Sequence, residues 1–294
     1  MRTIRGIVKS LRPQQWIKNF FLFAGIIFSG RFFDIDALSR SIGGFFAFCF
    51  LASAVYFFND IKDLEFDRVH PDKKNRPIAH GDISIPFATI FGILLLAIGI
   101  LLSISLGSNF FFVAGSYIIL QFLYIYLFKR MPILDILAVA AGFVIRAIAG
   151  GVVIDVPISS WLLVCTSLLA LFLVTEKRRG ELSRIEDLDL DTSSRPSLSN
   201  YTVTFLDQLA NIELVVASMA YMLYVFSAET RQKFGGYALG FTIPFVLYGL
   251  FRYLWLVNIK GKGESPTKIF LTDFPSVINL VLWAIVVFIV VYIK

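Results

Sequence analysis

The sequence predicts an all-α fold, a multi-pass membrane bundle of nine transmembrane helices, and three observations carry that expectation. The 294 residues are 57% hydrophobic and 16% charged, where soluble domains carry about 25% charged residues, and the mean hydropathy is +0.76. Apolar stretches recur at residues 19–33, 41–58, 86–107, 109–128, 132–150, 158–175, 208–228, 237–257 and 273–293. They are continuous where barrel strands would alternate. Lys and Arg concentrate on one side of these stretches, in segments 1–18, 61–84, 129–130, 177–206 and 252–272. The other side holds Arg31, Arg40, Arg231, Lys233 and Lys294. That bias puts the N-terminus in the cytoplasm and the C-terminus outside. The expected product is a single integral domain over residues 1–294, in the inner (cytoplasmic) membrane of the cell.

In chain order, residues 1–17 form a basic amphipathic helix suited to the headgroup layer. Ile4, Ile7 or Val8, and Leu11 make its apolar face; Arg2, Arg5, Lys9 and Arg12 make the other. Pro13 breaks this element, and Trp16 marks the interface before the nine-helix bundle of residues 18–294. The first span above all is shorter than the roughly 20 residues of a full crossing. Gly107–Asn109, Met131–Pro132 and Gly150–Gly151 read as breaks between neighbouring helices. Cys49 and Cys165 lie inside apolar spans as packing residues, and no cleavable signal peptide is expected. Segment 183–200 is a polar inner loop in which Asp187, Asp189 and Asp191 alternate, without the glycine turn and further ligands of a calcium loop. The net charge of +6 follows from orientation and contact with anionic lipid, so no nucleic-acid partner is expected.

The chemistry is expected at residues 57–80. Asn59, Asp60, Asp63 and Asp67 leave the second span, and on a continuous helix the three acids stand at i, i+3 and i+7, on one face. Like charges stacked in this way repel unless a cation sits between them, and hard divalent cations prefer oxygen ligands. Lys73, Lys74 and Arg76 follow, cations able to hold phosphate oxygens. A solvated charged loop is the competing account of this stretch. Tyr124, Lys129 and Arg130 end the fourth span, with Asp135 near enough to pair with either cation. Arg146 lies inside the fifth span, where a charge needs a partner or a wet cavity; a role in the site, positioning a substrate phosphate, is expected over a purely structural pair. Leaving the sixth span, Lys177 and Arg178 offer a point charge and a fork for a phosphate. Glu181 is placed to orient Lys177 by an i, i+4 pair; an ordinary basic helix end is the alternative. Glu213 is a weaker case of an ionisable group within a span. Lys18 is a further candidate for a substrate phosphate.

NDIKDLEFD at residues 59–67 resembles the N-D-x-x-D-x-x-x-D signature of the UbiA-type intramembrane prenyltransferase superfamily. More narrowly, LRPQQWIKN (11–19), HPDKKNRPIAHG (70–81), YIYLFKRMPILD (124–135), GFVIRAIAGG (142–151) and EKRRGEL (176–182) resemble its decaprenyl-phosphate phosphoribosyltransferase branch. The last third of the chain matches in span number and hydropathy alone. The superfamily's second Asp-rich motif is missing, with Lys177, Arg178 and Glu181 in its place, which disfavours an aromatic acceptor. The resemblance implies nine helices around a cytoplasm-facing cavity, Mg²⁺ on Asp60, Asp63 and Asp67, and phosphoribosyl diphosphate and a polyprenyl phosphate as substrates. It also implies a place in cell-wall biosynthesis and allows a homo-oligomer. Aromatic prenyl transfer and lipid-phosphate transport are the alternatives. For the latter, the sequence lacks the two related halves of a carrier.

Overall fold

The structure, a computed structural model, describes residues 2–70, 73–187, 197–259, 269 and 272–293, and the side chains of these apart from residues 2–4 and 187. All regular structure among the described residues is helical. In order, α1 is Arg2–Leu11, a 3₁₀ segment covers Pro13–Phe23, α2 is Ala24–Phe28, α3 is Ile35–Lys62, α4 is Leu64–Val69 and α5 is Pro77–His80. Then come α6 Ile85–Ser105, α7 Ser108–Tyr126, α8 Leu134–Val152, α9 Ser160–Asp187, α10 Val203–Phe226, α11 Ala228–Phe234, α12 Ile243–Asn258 and α13 Phe274–Tyr292. Eight helices among the described residues are long and apolar enough to cross a membrane. They fall on the second to ninth expected spans. The chain is an all-α, multi-pass helical membrane protein.

The first expected span takes another form. Pro13 starts a 3₁₀ segment of 11 residues, followed by the five residues of α2. A 3₁₀ helix rises about 2.0 Å per residue and an α-helix about 1.5 Å. The rise from Pro13 to Phe28 is therefore about 30 Å, the thickness of a hydrocarbon core. The tighter winding lets a short stretch reach as far as a longer α-helix.

The chain divides into two compact units. The first comprises residues 1–26, 32–157 and 191–199; the second comprises 27–31, 158–190 and 200–294.

In the first unit, α3 is the central element. Asp34 starts it by accepting from the backbone N–H groups of Asp36 and Ala37 at 3.1 and 3.2 Å, the usual role of an N-cap carboxylate. At about 1.5 Å per residue its 28 residues extend about 42 Å, longer than the hydrocarbon core, so Asn59 to Lys62 emerge at a membrane face. Small residues line its packing faces, as helix contacts in lipid favour. On α6, a Cβ at Gly99 would stand 2.5 Å from the Leu51 side chain. Gly150 and Gly151 do not break the chain. They sit in the last turns of α8, where a Cβ on Gly150 would meet the Leu22 carbonyl oxygen at 1.9 Å. Gly150 serves backbone contact with the 3₁₀ segment.

In the second unit, Phe172 of α9, Ala210 and Leu214 of α10, and Leu250, Tyr253 and Leu256 of α12 form one core. Val225, Phe234 and Leu239 pack with Val287, Val290 and Val291 of α13 in another. Asp273 caps α13, accepting from the Ser276 N–H at 3.1 Å and its hydroxyl at 2.7 Å. The same carboxylate takes a two-point grip from Arg252, at 2.6 and 3.0 Å. These bonds, Arg252 foremost, hold the Asp273 carboxyl below the usual carboxylate range. A depressed carboxylate adds stability above its unfolded pKa, about 3.9, and loses it as pH falls through the folded value. Asp273→Asn is expected to lower stability by about 1.5–3 kcal/mol at pH 7. The difference from wild type in thermal unfolding should shrink as pH drops below about 4.

Candidate active site

The site grows from the end of α3. The helix runs to Lys62, breaks at Asp63 with φ −89° and ψ 6°, and resumes as α4. Hydrogen bonds from Asp63 N–H to the Asn59 carbonyl and from Asp67 N–H to the Asp63 carbonyl bridge the break at 2.9 and 2.8 Å. The helix is thus not the continuous one assumed for the i, i+3, i+7 face, and the three acids part company. Asp60 and Asp67, 3% and 2% exposed, converge on a single nitrogen: Arg76 Nη1 lies 3.0 Å from Asp60 Oδ1 and 2.6 Å from Asp67 Oδ2. Asp63 turns instead to Lys129, whose ammonium donates to its Oδ2. Arg76 arrives because Pro77 opens α5 immediately after it, and Lys129 because a 3₁₀ turn, Phe128–Arg130, ends α7.

A further cation comes from the N-terminus. Arg12 Nη2 donates to the same Asp60 Oδ1 at 2.5 Å, and its guanidinium lies 4.7 Å from the centre of the Tyr56 ring. Ser53 anchors this corner, donating to the Leu11 carbonyl at 2.8 Å and receiving the Trp16 indole N–H at 3.1 Å. Lys9 donates to the Asn75 carbonyl at 2.7 Å, tying α1 to the basic segment. Burial pushes the Asp67 carboxyl above the usual range, more than the Arg76 charge draws it down, and Asp60 adds to the push. Two buried carboxylates aimed at one positive centre are a donor set that fits a hard divalent cation. Among the described residues no group of three His, Cys, Asp or Glu side chains surrounds a common metal position. A resident ion would share the acids with Arg12, Arg76 and Lys129.

Asn59 is half-buried one residue ahead of Asp60. Lys73 is half-buried and Lys74 exposed in the 3₁₀ turn Lys73–Asn75. Tyr124 is half-buried near the end of α7, Arg130 is exposed, and Lys18 is half-buried in the 3₁₀ segment. Asp135 is buried and accepts from the Ser197 hydroxyl at 3.2 Å. Arg146 is 5% exposed. It donates to Asn19 Oδ1 and the Gly142 carbonyl at 2.7 Å each and to the Tyr117 hydroxyl at 2.9 Å. Its charge is spread over these neutral acceptors and the Tyr117 ring, 4.7 Å away.

The model of the UbiA prenyltransferase family matches residues 19–279. The chain belongs to the UbiA prenyltransferase family. This UbiA-family chain is 33% identical over 294 residues to a decaprenyl-phosphate phosphoribosyltransferase of Corynebacterium glutamicum, covering 98% of the chain and 87% of the relative. It is 34% identical to the enzyme of that name from Mycolicibacterium smegmatis, covering 95% and 90%. It is therefore an enzyme, a transferase. In fold it is similar to a UbiA homologue of Archaeoglobus fulgidus bound to GPP and Mg²⁺, with TM-score 0.69, 20% identity, and 97% and 99% of the two chains covered.

In the second unit of this UbiA-family transferase, α9 runs 28 residues and carries Lys177, Arg178 and Glu181 on its C-terminal turns. Glu181 takes both cations, Lys177 Nζ at 3.7 Å and Arg178 Nη1 at 3.3 Å, so the expected i, i+4 pair is present with an i, i+3 pair beside it. Arg178 is 1% exposed. Arg179 holds Asp207 of α10 at 2.9 Å. Glu176 is fully buried, and among the described residues no hydrogen-bond donor meets either of its oxygens. Glu213 accepts from the Thr175 hydroxyl at 3.1 Å. Asp189 and Asp191 lie outside the described residues, as does the side chain of Asp187.

Arg12 is the site residue that sequence pattern assigned elsewhere, to the polar face of an interfacial helix. Its one local signal is Pro13. Proline disfavours helical backbone in the residue before it, and Arg12 is left-handed, at φ 52° and ψ 56°.

Proposed function

We propose that this protein transfers the 5-phosphoribosyl group of phosphoribosyl diphosphate to a polyprenyl phosphate of decaprenyl type and releases diphosphate, in a Mg²⁺-dependent reaction. The observation that carries this proposal is the convergence of Asp60 and Asp67 on Arg76, with Arg12 on Asp60 and Lys129 on Asp63 beside it. Such alternation of buried acids and partly exposed cations suits a metal-bound diphosphate. The names of the near-full-length relatives support a phosphoribosyl group and a polyprenyl phosphate as the reacting partners. The active site faces the cytoplasm, with the N-terminus cytoplasmic, in the inner membrane.

Asp60, Asp63 and Asp67 would hold the metal, with Asn59 assisting; when bound, the ion offsets charge growing on the departing diphosphate. Lys73, Lys74 and Arg76 hold the sugar phosphates. In the first unit Lys129 and Arg130, with Lys18, position the lipid phosphate, and Tyr124 lines the substrate side. In the second unit Lys177 and Arg178 are substrate-phosphate cations, oriented by Glu181. Arg146 acts through Asn19, fixing the segment that carries Lys18. The C1–O bond to diphosphate breaks with its electron pair leaving on the diphosphate oxygen. A lipid-phosphate oxygen forms the new bond to C1 from the opposite face. That oxygen is already ionised at neutral pH, so the site has to orient two anions and needs no strong general base.

Purified protein given labelled phosphoribosyl diphosphate and polyprenyl phosphate should move label into the lipid extract, and chelation of divalent metal should stop it. Label confined to the aqueous phase, with turnover of a prenyl diphosphate, would replace this reaction by prenyl transfer. Uptake into vesicles without conversion of either substrate would mark a carrier.

A further inference from the structure

The acids of the site are matched by its bases, and the match has a consequence for how the site loads. Asp60 and Asp67 face Arg12 and Arg76, and Asp63 faces Lys129. The three carboxylates are thus balanced by three cations of the chain itself. A divalent ion entering alone would meet a site whose negative charge is already neutralised, and would have to displace guanidinium groups into water. A metal arriving with a diphosphate gives those groups new anionic oxygens to hold.

Resting on the proposed diphosphate chemistry, we propose that Arg12 is a further substrate-positioning residue that couples metal binding to diphosphate binding. It pairs with Asp60 and exchanges that carboxylate for diphosphate oxygens when metal and diphosphate bind together. Its geometry fits both tasks. The side chain is 22% exposed while Asp60 is 3% exposed, so Arg12 reaches in from the surface rather than from the core. One nitrogen is engaged on Asp60 and the Tyr56 ring supports the guanidinium, leaving further donors of the fork for phosphate oxygens. The left-handed backbone at Arg12 and the Leu11–Ser53–Trp16 anchor hold its Cα where α1 meets the 3₁₀ segment. Arg76, the second clasp, is fixed by Pro77 on α5, an element that packs against α1.

The test is calorimetric titration of full-length protein in lipid nanodiscs with Mg²⁺, alone and with inorganic diphosphate, for wild type, Arg12→Gln and Arg12→Lys. In wild type, diphosphate should tighten Mg²⁺ binding by about tenfold or more, within the usual range of coupled sites. Arg12→Gln should bind Mg²⁺ more tightly than wild type when diphosphate is absent and bind diphosphate more weakly, so that the coupling collapses. Arg12→Lys should keep most of it. A residue that merely shaped the fold would weaken metal and diphosphate together. Unchanged or weaker Mg²⁺ binding in Arg12→Gln, beside a wild type that binds normally, overturns the role of Arg12 alone. Absence of Mg²⁺ binding in wild type even with diphosphate overturns the Asp60–Asp67 metal assignment and this inference with it.

Discussion

Asp60→Asn is expected to reduce kcat/KM by roughly 10²–10³-fold, the usual effect of deleting one preorganised electrostatic contact. Asparagine keeps the shape of the side chain and removes its charge. At 3% exposure Asp60 receives both Arg12 and Arg76 on one oxygen. The variant therefore leaves Arg12 without its carboxylate and Arg76 on Asp67 alone, and it removes one negative charge from the proposed metal site. Asp63→Asn removes the partner of Lys129 and should abolish Mg²⁺-dependent turnover while the protein stays folded. Both are checked by phosphoribosyl transfer in nanodiscs alongside thermal unfolding. Full activity in either variant, with a normal unfolding midpoint, would remove that residue from the site.

Arg146→Met is expected to cost about 2–5 kcal/mol of stability. The loss arises on the partners, since Asn19 Oδ1 and the Tyr117 hydroxyl are buried and each group left without a donor or acceptor costs about 1–3 kcal/mol. Asn19 also donates its amide to the Cys49 sulfur at 3.2 Å, so α3, α7, α8 and the 3₁₀ segment all meet at this arginine. Arg146→Lys should recover little, because one ammonium cannot reach acceptors spaced for a fork. Denaturant titration of reconstituted protein measures the loss. A normal midpoint for Arg146→Met with abolished turnover would instead assign the arginine to direct substrate contact.

Much of the fold was legible because membrane spans announce themselves locally. A run of apolar residues long enough to cross must be helical, since no water is available to its backbone. The second to ninth spans appear where expected for that reason. The stretch expected as the first span, 19–33, is not among the eight long apolar helices of the described residues: the chain forms a 3₁₀ segment and a short helix over Pro13–Phe28, and a 3₁₀ segment differs from an α-helix in winding and not in hydrophobicity. Gly150 and Gly151 misled as punctuation, since a glycine that permits a turn and one that permits backbone contact look alike in a sequence. At the site, the acidic signature, Arg76 and Lys129 were readable from spacing and residue type. Arg12, which lies 48 positions from Asp60, was not, because nothing local records which charge lies across from it.

The sequence alone determined that this chain is a helical membrane protein with an acidic cluster, followed by bases, at the end of its second long span. Those are properties of composition and periodicity, set by the cost of exposing a backbone to lipid. The tertiary structure alone decided how the charges pair. The break at Asp63 parts that carboxylate from Asp60 and Asp67, a left-handed residue brings Arg12 to Asp60, and a turn after α7 gives Lys129 to Asp63. Pairing follows the directions in which side chains leave a broken helix and the distant elements that meet them there, and those exist only once the chain has packed.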